Sequence, residues 1–258
     1  MRVQSRKKVV VKDILFGGDR ILTCIPLVSK NKKKLIEEAK EVSLLRPDVI
    51  EWRVDFFESV NDVKSVIDTL LTLSDIIGKI PLIFTLRHWK EGGKSNLHQV
   101  KRIEIIKKSL ETNCIDLLDI EIDNDMGFID EIKGIIDKKE TKLIFSYHNF
   151  EETPGEEFLY NKILEGQRLG ADIVKIAVMS QNYGDVLRLL NITYWARNTI
   201  DIPLITVSMG KLGVVTRLIG GLFGSDMTYA VGKEASAPGQ IAIEDINIVL
   251  NILNRSGF

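Results

Sequence analysis

The sequence predicts a single (β/α)8 barrel over residues 1–258, with an N-terminal β-hairpin closing the barrel bottom. Three observations carry that expectation. Eight short apolar runs recur along the chain, the segments between them space their apolar residues helically, and no Pro-, Gly- or Ser-rich linker interrupts the rhythm. A chain of 258 residues, 45% of them apolar, is long enough for one large α/β domain or two ordinary ones. Connections of this length suit crossover helices and hence parallel strands, and eight units without a composition break fit a closed barrel better than an open doubly wound sheet.

Taken in order, residues 8–13, followed by Gly17-Gly18, are expected to form the hairpin. The barrel strands are then predicted at 21–28, 48–55, 80–87, 115–123, 142–148, 172–179, 202–209 and 226–231. Their cores are aliphatic and β-branched, as strands covered on both faces require. Between them, Leu35, Ala39, Val42 and Leu45, and again Val100, Ile103, Ile106 and Leu110, fall on one helical face among lysines and glutamates.

Charge and cysteine content narrow the function classes. Thirty-five Lys plus Arg balance 36 Asp plus Glu, a net charge of -1, so no global field attracts nucleic acid or an anionic membrane. The basic runs Arg6-Lys7-Lys8 and Lys32-Lys33-Lys34 read as solvated faces. No run approaches the ~20 apolar residues of a membrane span, and no apolar stretch follows the first basic residues, so a cytoplasmic protein with small-molecule partners is expected. Cys24 and Cys114 lie far apart, outside any CxxC pattern, and read as two small buried residues.

Successive strand residues face opposite sides, so each run divides in two. In the second strand Val49, Glu51, Arg53 and Asp55 oppose Ile50, Trp52 and Val54; in the fourth, Leu117, Asp119, Glu121 and Asp123 oppose Leu118, Ile120 and Ile122. The apolar sets suit packing under helices, which points the polar sets into the barrel. The same division places Ile83, Thr85 and Arg87, then Ile144, Ser146 and His148, then Ile173, Lys175, Ala177 and Met179 inward. Charges therefore accumulate at the C-terminal strand ends, where barrels of this kind do chemistry. A polar plug would account for Glu51, Arg53, Asp119 and Glu121 individually, but poorly for Lys175 or His148.

Lysine is among the residues least often buried, so Lys175 in the run Ala171 to Val178 asks for a reason. Desolvation and neighbouring cations both favour a neutral amine. A neutral amine attacks ketones to give an imine, whose neighbouring C–H bonds become acidic enough for a histidine base. His148, at the end of the preceding strand, supplies one, and the chemistry needs no cofactor. His98, on a predicted helix, reads as exposed or satisfied. Gly92-Gly93-Lys94-Ser95 fails as a phosphate loop because its first glycine would fall at His88. GxSxG, HExxH and GxGxxG motifs are absent, and a metal bound by Glu51, Asp119, Glu121 and His148 would leave Lys175 unexplained.

Several strings together resemble one family, the type I 3-dehydroquinate dehydratases of the shikimate pathway. They are Glu51-Trp52-Arg53-Val54-Asp55, Arg87 with Glu91-Gly92-Gly93, Asp119-Ile120-Glu121 and Ser146-Tyr147-His148-Asn149-Phe150. Lys175-Ile176-Ala177, Ser208-Met209-Gly210 with Arg217, Phe223-Gly224-Ser225 and the stretch from Ala235 to Gln240 continue the match nearly to the end. The resemblance implies a TIM barrel that eliminates water from 3-dehydroquinate to give 3-dehydroshikimate, without metal or cofactor and as a homodimer. It further implies that Lys175 forms an imine with the C3 ketone, that His148 moves the C2 proton, and that Glu91 orients His148. Arg217 would hold the substrate carboxylate, Glu51, Arg53 and Arg87 the ring hydroxyls, and Ser236 and Gln240 would close over the ligand. His88-Trp89, Val207 and Tyr229 depart from the family pattern, and none is expected to touch Lys175, His148 or Glu91; His88 is expected at the surface. A lysine-dependent class I aldolase and a non-catalytic binder of a cyclic polyhydroxy acid stand as alternatives. No glycine-rich phosphate cradle follows the last strands, which disfavours the first, and a binder needs neither nucleophile nor oriented base.

Overall fold

Alternation of buried strands and amphipathic helices produces the expected architecture in the computed structural model, which describes residues 2–232 and 237–255. A hairpin, β1 (Val9–Val11) and β2 (Ile14–Phe16), precedes eight parallel strands: β3 (Leu22–Leu27), β4 (Val49–Arg53), β5 (Leu82–Thr85), β6 (Leu117–Glu121), β7 (Lys142–Asn149), β8 (Ile173–Met179), β9 (Leu204–Met209) and β10 (Met227–Val231). A two-residue strand, β11 (Ile241–Ala242), pairs in parallel with β10. The helices are α1 (Lys32–Leu44), α2 (Val63–Ile77), α3 (Gln99–Glu111), α4 (Met126–Ile136), α5 (Glu156–Arg168), α6 (Tyr183–Thr199), α7 (Val214–Phe223) and α8 (Ile243–Arg255). Asn31, Asp62, Asp125 and Asn182 cap α1, α2, α4 and α6, each side chain accepting a first-turn N–H that the helix leaves unpaired.

Hydrogen bonding runs β10-β3-β4-β5-β6-β7-β8-β9, and side chains finish the ring. Asp226, just before β10, binds Leu204 of β9 twice: its own N–H donates to the Leu204 carbonyl at 2.7 Å, and its carboxylate accepts the Leu204 N–H at 2.7 Å. The carboxylate is held by Arg197 at 2.9 Å and by Arg2. Ser225 Oγ accepts the Thr206 N–H at 3.0 Å.

The period-two reading of the strands holds. Ile50, Trp52, Phe84, Ile120, Phe145 and Ile176 pack under the helices, while Cys24, Val49, Ile83, Leu117, Ile144, Ile173, Ile205 and Met227 form an inner apolar layer. Val9, Val11 and Phe16 belong to that inner cluster, so the hairpin plugs the barrel at its apolar end. The inward-facing charged residues therefore occupy the opposite end. Two inward expectations fail at strand ends: β4 stops at Arg53, after which Asp55 folds back in a 3-10 turn onto the Arg53 guanidinium, and Asp123 lies beyond β6, exposed beside Lys162. Cys24 is buried as expected, whereas Cys114 is only half-buried.

Candidate active site

Lys175 enters the barrel from β8 with 5% of its surface exposed. Its Nζ lies 3.0 Å from Asp119 Oδ2, 3.7 Å from Glu51 Oε1 and 4.5 Å from the centre of the Tyr229 ring. The charges nearest the amine are thus carboxylates, whereas the sequence reading placed cations there; staggering of β4 and β6 against β8 brings the acidic residues level with it. Glu51 Oε1 also accepts the Thr85 hydroxyl at 2.7 Å. Burial pushes the Asp119 carboxyl up, but Arg87, Lys175 and the Ser146 hydroxyl outweigh it, and the group sits below the usual carboxylate range.

His148 follows two residues beyond the Ser146–Lys175 register pair, opposite Ala177, which brings both side chains to the C-terminal half of the barrel. Its Nδ1 lies 3.0 Å from Glu91 Oε2, and the same oxygen accepts the His148 backbone N–H at 2.8 Å. This contact engages Nδ1 and leaves Nε2 as the ring nitrogen free of Glu91. Burial, with Arg87, Lys175 and Arg53 nearby, lowers the imidazole well below its ordinary range, which keeps it neutral near pH 7. Burial and the neighbouring Glu121 charge push Glu91 up to about 9.

Glu91 reaches His148 because the chain after β5 makes one 3-10 turn, Trp89–Glu91, and folds back on itself. Gly92 has a φ of +82°, and a Cβ there would meet the Phe150 ring at 2.4 Å; a Cβ on Gly93 would lie 2.1 Å from the Arg87 carbonyl oxygen. His88 is half-buried at this turn, at the rim and partly at the surface, and its Nδ1 accepts the Lys90 N–H at 3.2 Å.

A cavity of about 40 Å³ connects these groups, and Glu51, Arg53, His148, Lys175, Arg217 and Gln240 all line it. Arg217, on α7, donates to the carbonyls of Tyr229 and Pro238, both at 3.2 Å, and its Nε has no partner. Among the described residues no carboxylate pairs with it, and burial lowers it to about 10. Arg87 does not line the cavity. It lies beneath, with Asp119 and Glu121 each at 2.9 Å and Ser146 at 2.7 Å. Ser236 and Ala235 lie outside the described residues. Tyr229 and Val207 line the cavity, so the expectation that these departures stay clear of Lys175 fails for Tyr229. Asp119 was read only as inward-facing, and its pairing with Lys175 depends on strand stagger, which a one-dimensional pattern does not carry.

Comparison with known proteins now bears on this geometry. The family model for type I 3-dehydroquinase matches residues 23–256. The chain belongs to the type I 3-dehydroquinase family. A 3-dehydroquinate dehydratase of Clostridioides difficile (strain 630) is 43% identical over 97% of this chain and 99% of the relative. The crystal structure of 3-dehydroquinate dehydratase from Geobacillus kaustophilus HTA426 superposes with a TM-score of 0.96 at 40% identity, covering 99% of both chains. A Clostridium difficile type I 3-dehydroquinate dehydratase, solved with covalently modified comenic acid, gives 0.93 at 43% identity, covering 97% of this chain and 98% of the other. Membership in the type I 3-dehydroquinase family agrees with the barrel and with the expected resemblance.

Proposed function

We propose that residues 1–258 act as one barrel domain that eliminates water from 3-dehydroquinate through an imine (Schiff base) on Lys175. The observation that carries the reading is a buried lysine sharing one cavity with a neutral, carboxyl-oriented histidine. Lys175 Nζ adds to the C3 carbonyl, and loss of one water leaves the protonated imine. His148 Nε2 takes the C2 proton, and the electron pair of that C–H bond moves into an enamine. The enamine expels the C1 hydroxyl, which takes the proton back from His148 and leaves as water. A further water hydrolyses the conjugated imine, releasing 3-dehydroshikimate and the lysine. Asp119, 3.0 Å from Nζ, holds the amine in place for that first attack.

Arg217 is the group for the substrate carboxylate: a buried guanidinium that, among the described residues, has an unpaired Nε and hydrogen bonds to carbonyls alone. Glu51, Arg53, Gln240 and Ser236 serve the hydroxyls, while Arg87 acts from below by holding Asp119. A relative carrying covalently modified comenic acid accords with a nucleophile in such a pocket. The reading includes a homodimer, supported by Tyr183, Leu187, Tyr194 and Trp195 exposed along α6. Two free cysteines suit a reducing, cytoplasmic setting.

Borohydride treatment of the protein with 3-dehydroquinate, followed by intact mass and peptide mapping, tests the central step. A ligand-dependent adduct on Lys175 is expected, absent from Lys175→Ala, which should lose turnover while retaining ligand binding. An adduct elsewhere, or near-normal activity in Lys175→Ala, would end this reading.

A further inference from the structure

We propose that Arg102, on α3 outside the barrel wall, is a positioning residue for this reaction: through Glu121 it sets both Arg87 and the turn that carries Glu91. The inference rests on the imine reading above. Arg102 is buried, and its guanidinium donates to Glu121 Oε2 at 2.6 Å, to Asn124 Oδ1 at 2.8 Å and to the Leu86 carbonyl at 3.1 Å. The Phe128 ring lies under it, 4.9 Å away.

Glu121 divides its two oxygens between this anchor and the site. Oε2 faces Arg102 and Asn124, while Oε1 accepts Arg87 Nη1 at 2.9 Å and the His88 backbone N–H at 2.8 Å. His88 is the residue from which the turn to Glu91 begins, since its carbonyl accepts the Glu91 and Gly93 N–H groups. Arg87 continues to Asp119 and Asp119 to Lys175. A buried ladder of alternating charge thus runs Arg102, Glu121, Arg87, Asp119, Lys175, with a branch from Glu121 to Glu91 and His148.

Removing the outer cation has two effects. Glu121, still held charged by Arg87 and the His88 N–H, pulls Arg87 outward from Asp119. It also leaves a less positive field at the His148–Glu91 pair, which faces Arg87, Glu121 and Asp123 on one side and Arg53 and Lys175 on the other. The pair then holds its proton more tightly.

The test compares Arg102→Gln and Arg102→Lys with Phe128→Leu, which loosens packing under the guanidinium without touching Glu121. For Arg102→Gln, kcat should fall at least about tenfold, as for a displaced catalytic group, with KM within about threefold. The acid limb of the kcat–pH profile should move upward by about half a pH unit or more, with Arg102→Lys, which restores the charge, recovering most of the limb shift. Phe128→Leu should lower Tm and leave the limb in place. An unchanged kcat in Arg102→Gln, or a loss without a limb shift as in a packing mutant, would overturn the inference. Borohydride trapping on the unaltered protein separates the two ideas: no adduct there sinks the imine reading, whereas an adduct with an unmoved limb in Arg102→Gln sinks only the role of Arg102.

Discussion

Glu91 is a carboxyl group placed where a carboxylate is poorly solvated, and the consequence is measurable as stability. Its affinity for a proton is raised to about 9 in the folded chain, far above the ordinary carboxyl range. Between the unfolded and folded values the native state binds more protons than the unfolded state, so stability falls as pH rises through that window. Glu91→Gln, which resembles the protonated form, should therefore be more stable than the parent by a few kcal/mol, in order of magnitude, at about pH 8, with the gain vanishing toward about pH 4.5. Thermal unfolding of both proteins across this range checks the sign; a gain that grows on acidification would refute it. The same change should depress turnover, since an amide cannot share a proton with His148. At this scale, alternation along single strands made Lys175, His148, Glu51 and Arg53 legible. Asp119, Tyr229 and Arg102 were not assigned because their contacts with the site cross between strands, or between a helix and a strand end, and depend on stagger that period two does not encode.

At the scale of elements, the turn after β5 and the β9–β10 seam are the two places where a small change should act far from itself. Gly93 packs against the backbone of Arg87, and a methyl group 2.1 Å from a carbonyl oxygen cannot be accommodated by rotating a side chain. Gly93→Ala should move the Glu91 turn and lower kcat at least about tenfold while leaving the borohydride adduct on Lys175 obtainable. Loss of the adduct together with kcat would mean that the turn also shapes the lysine's surroundings. At the seam, Asp226→Ala leaves Arg2 and Arg197 buried without their carboxylate, a change of the kind that costs about 3–5 kcal/mol. Denaturant titration should show it as a lower midpoint. All eight barrel strands were legible, but the C-terminal ends of β4, β5 and β6 were read too long, because Asp55, Arg87 and Asp123 continue the alternation after the chain has turned away.

For the whole molecule, a ring of eight strands whose β9–β10 seam is bridged by Asp226 and Ser225 should lose its structure in one step. Calorimetry is expected to show a single transition with matching calorimetric and van't Hoff enthalpies, and Asp226→Ala should shift that transition without splitting it. Two transitions would mean that the chain holds two cooperative units and would refute the one-domain reading.

The hairpin at the apolar end makes the barrel a cup. Val9, Val11 and Phe16 close its base, so among the described residues substrate and product are left the opposite end as their doorway. Traffic through a single doorway is necessarily sequential: no second ligand enters from behind to push product out, and a molecule lodged at the mouth halts every later step. A ligand seated at the rim is therefore expected to block the cavity without reaching the lysine below.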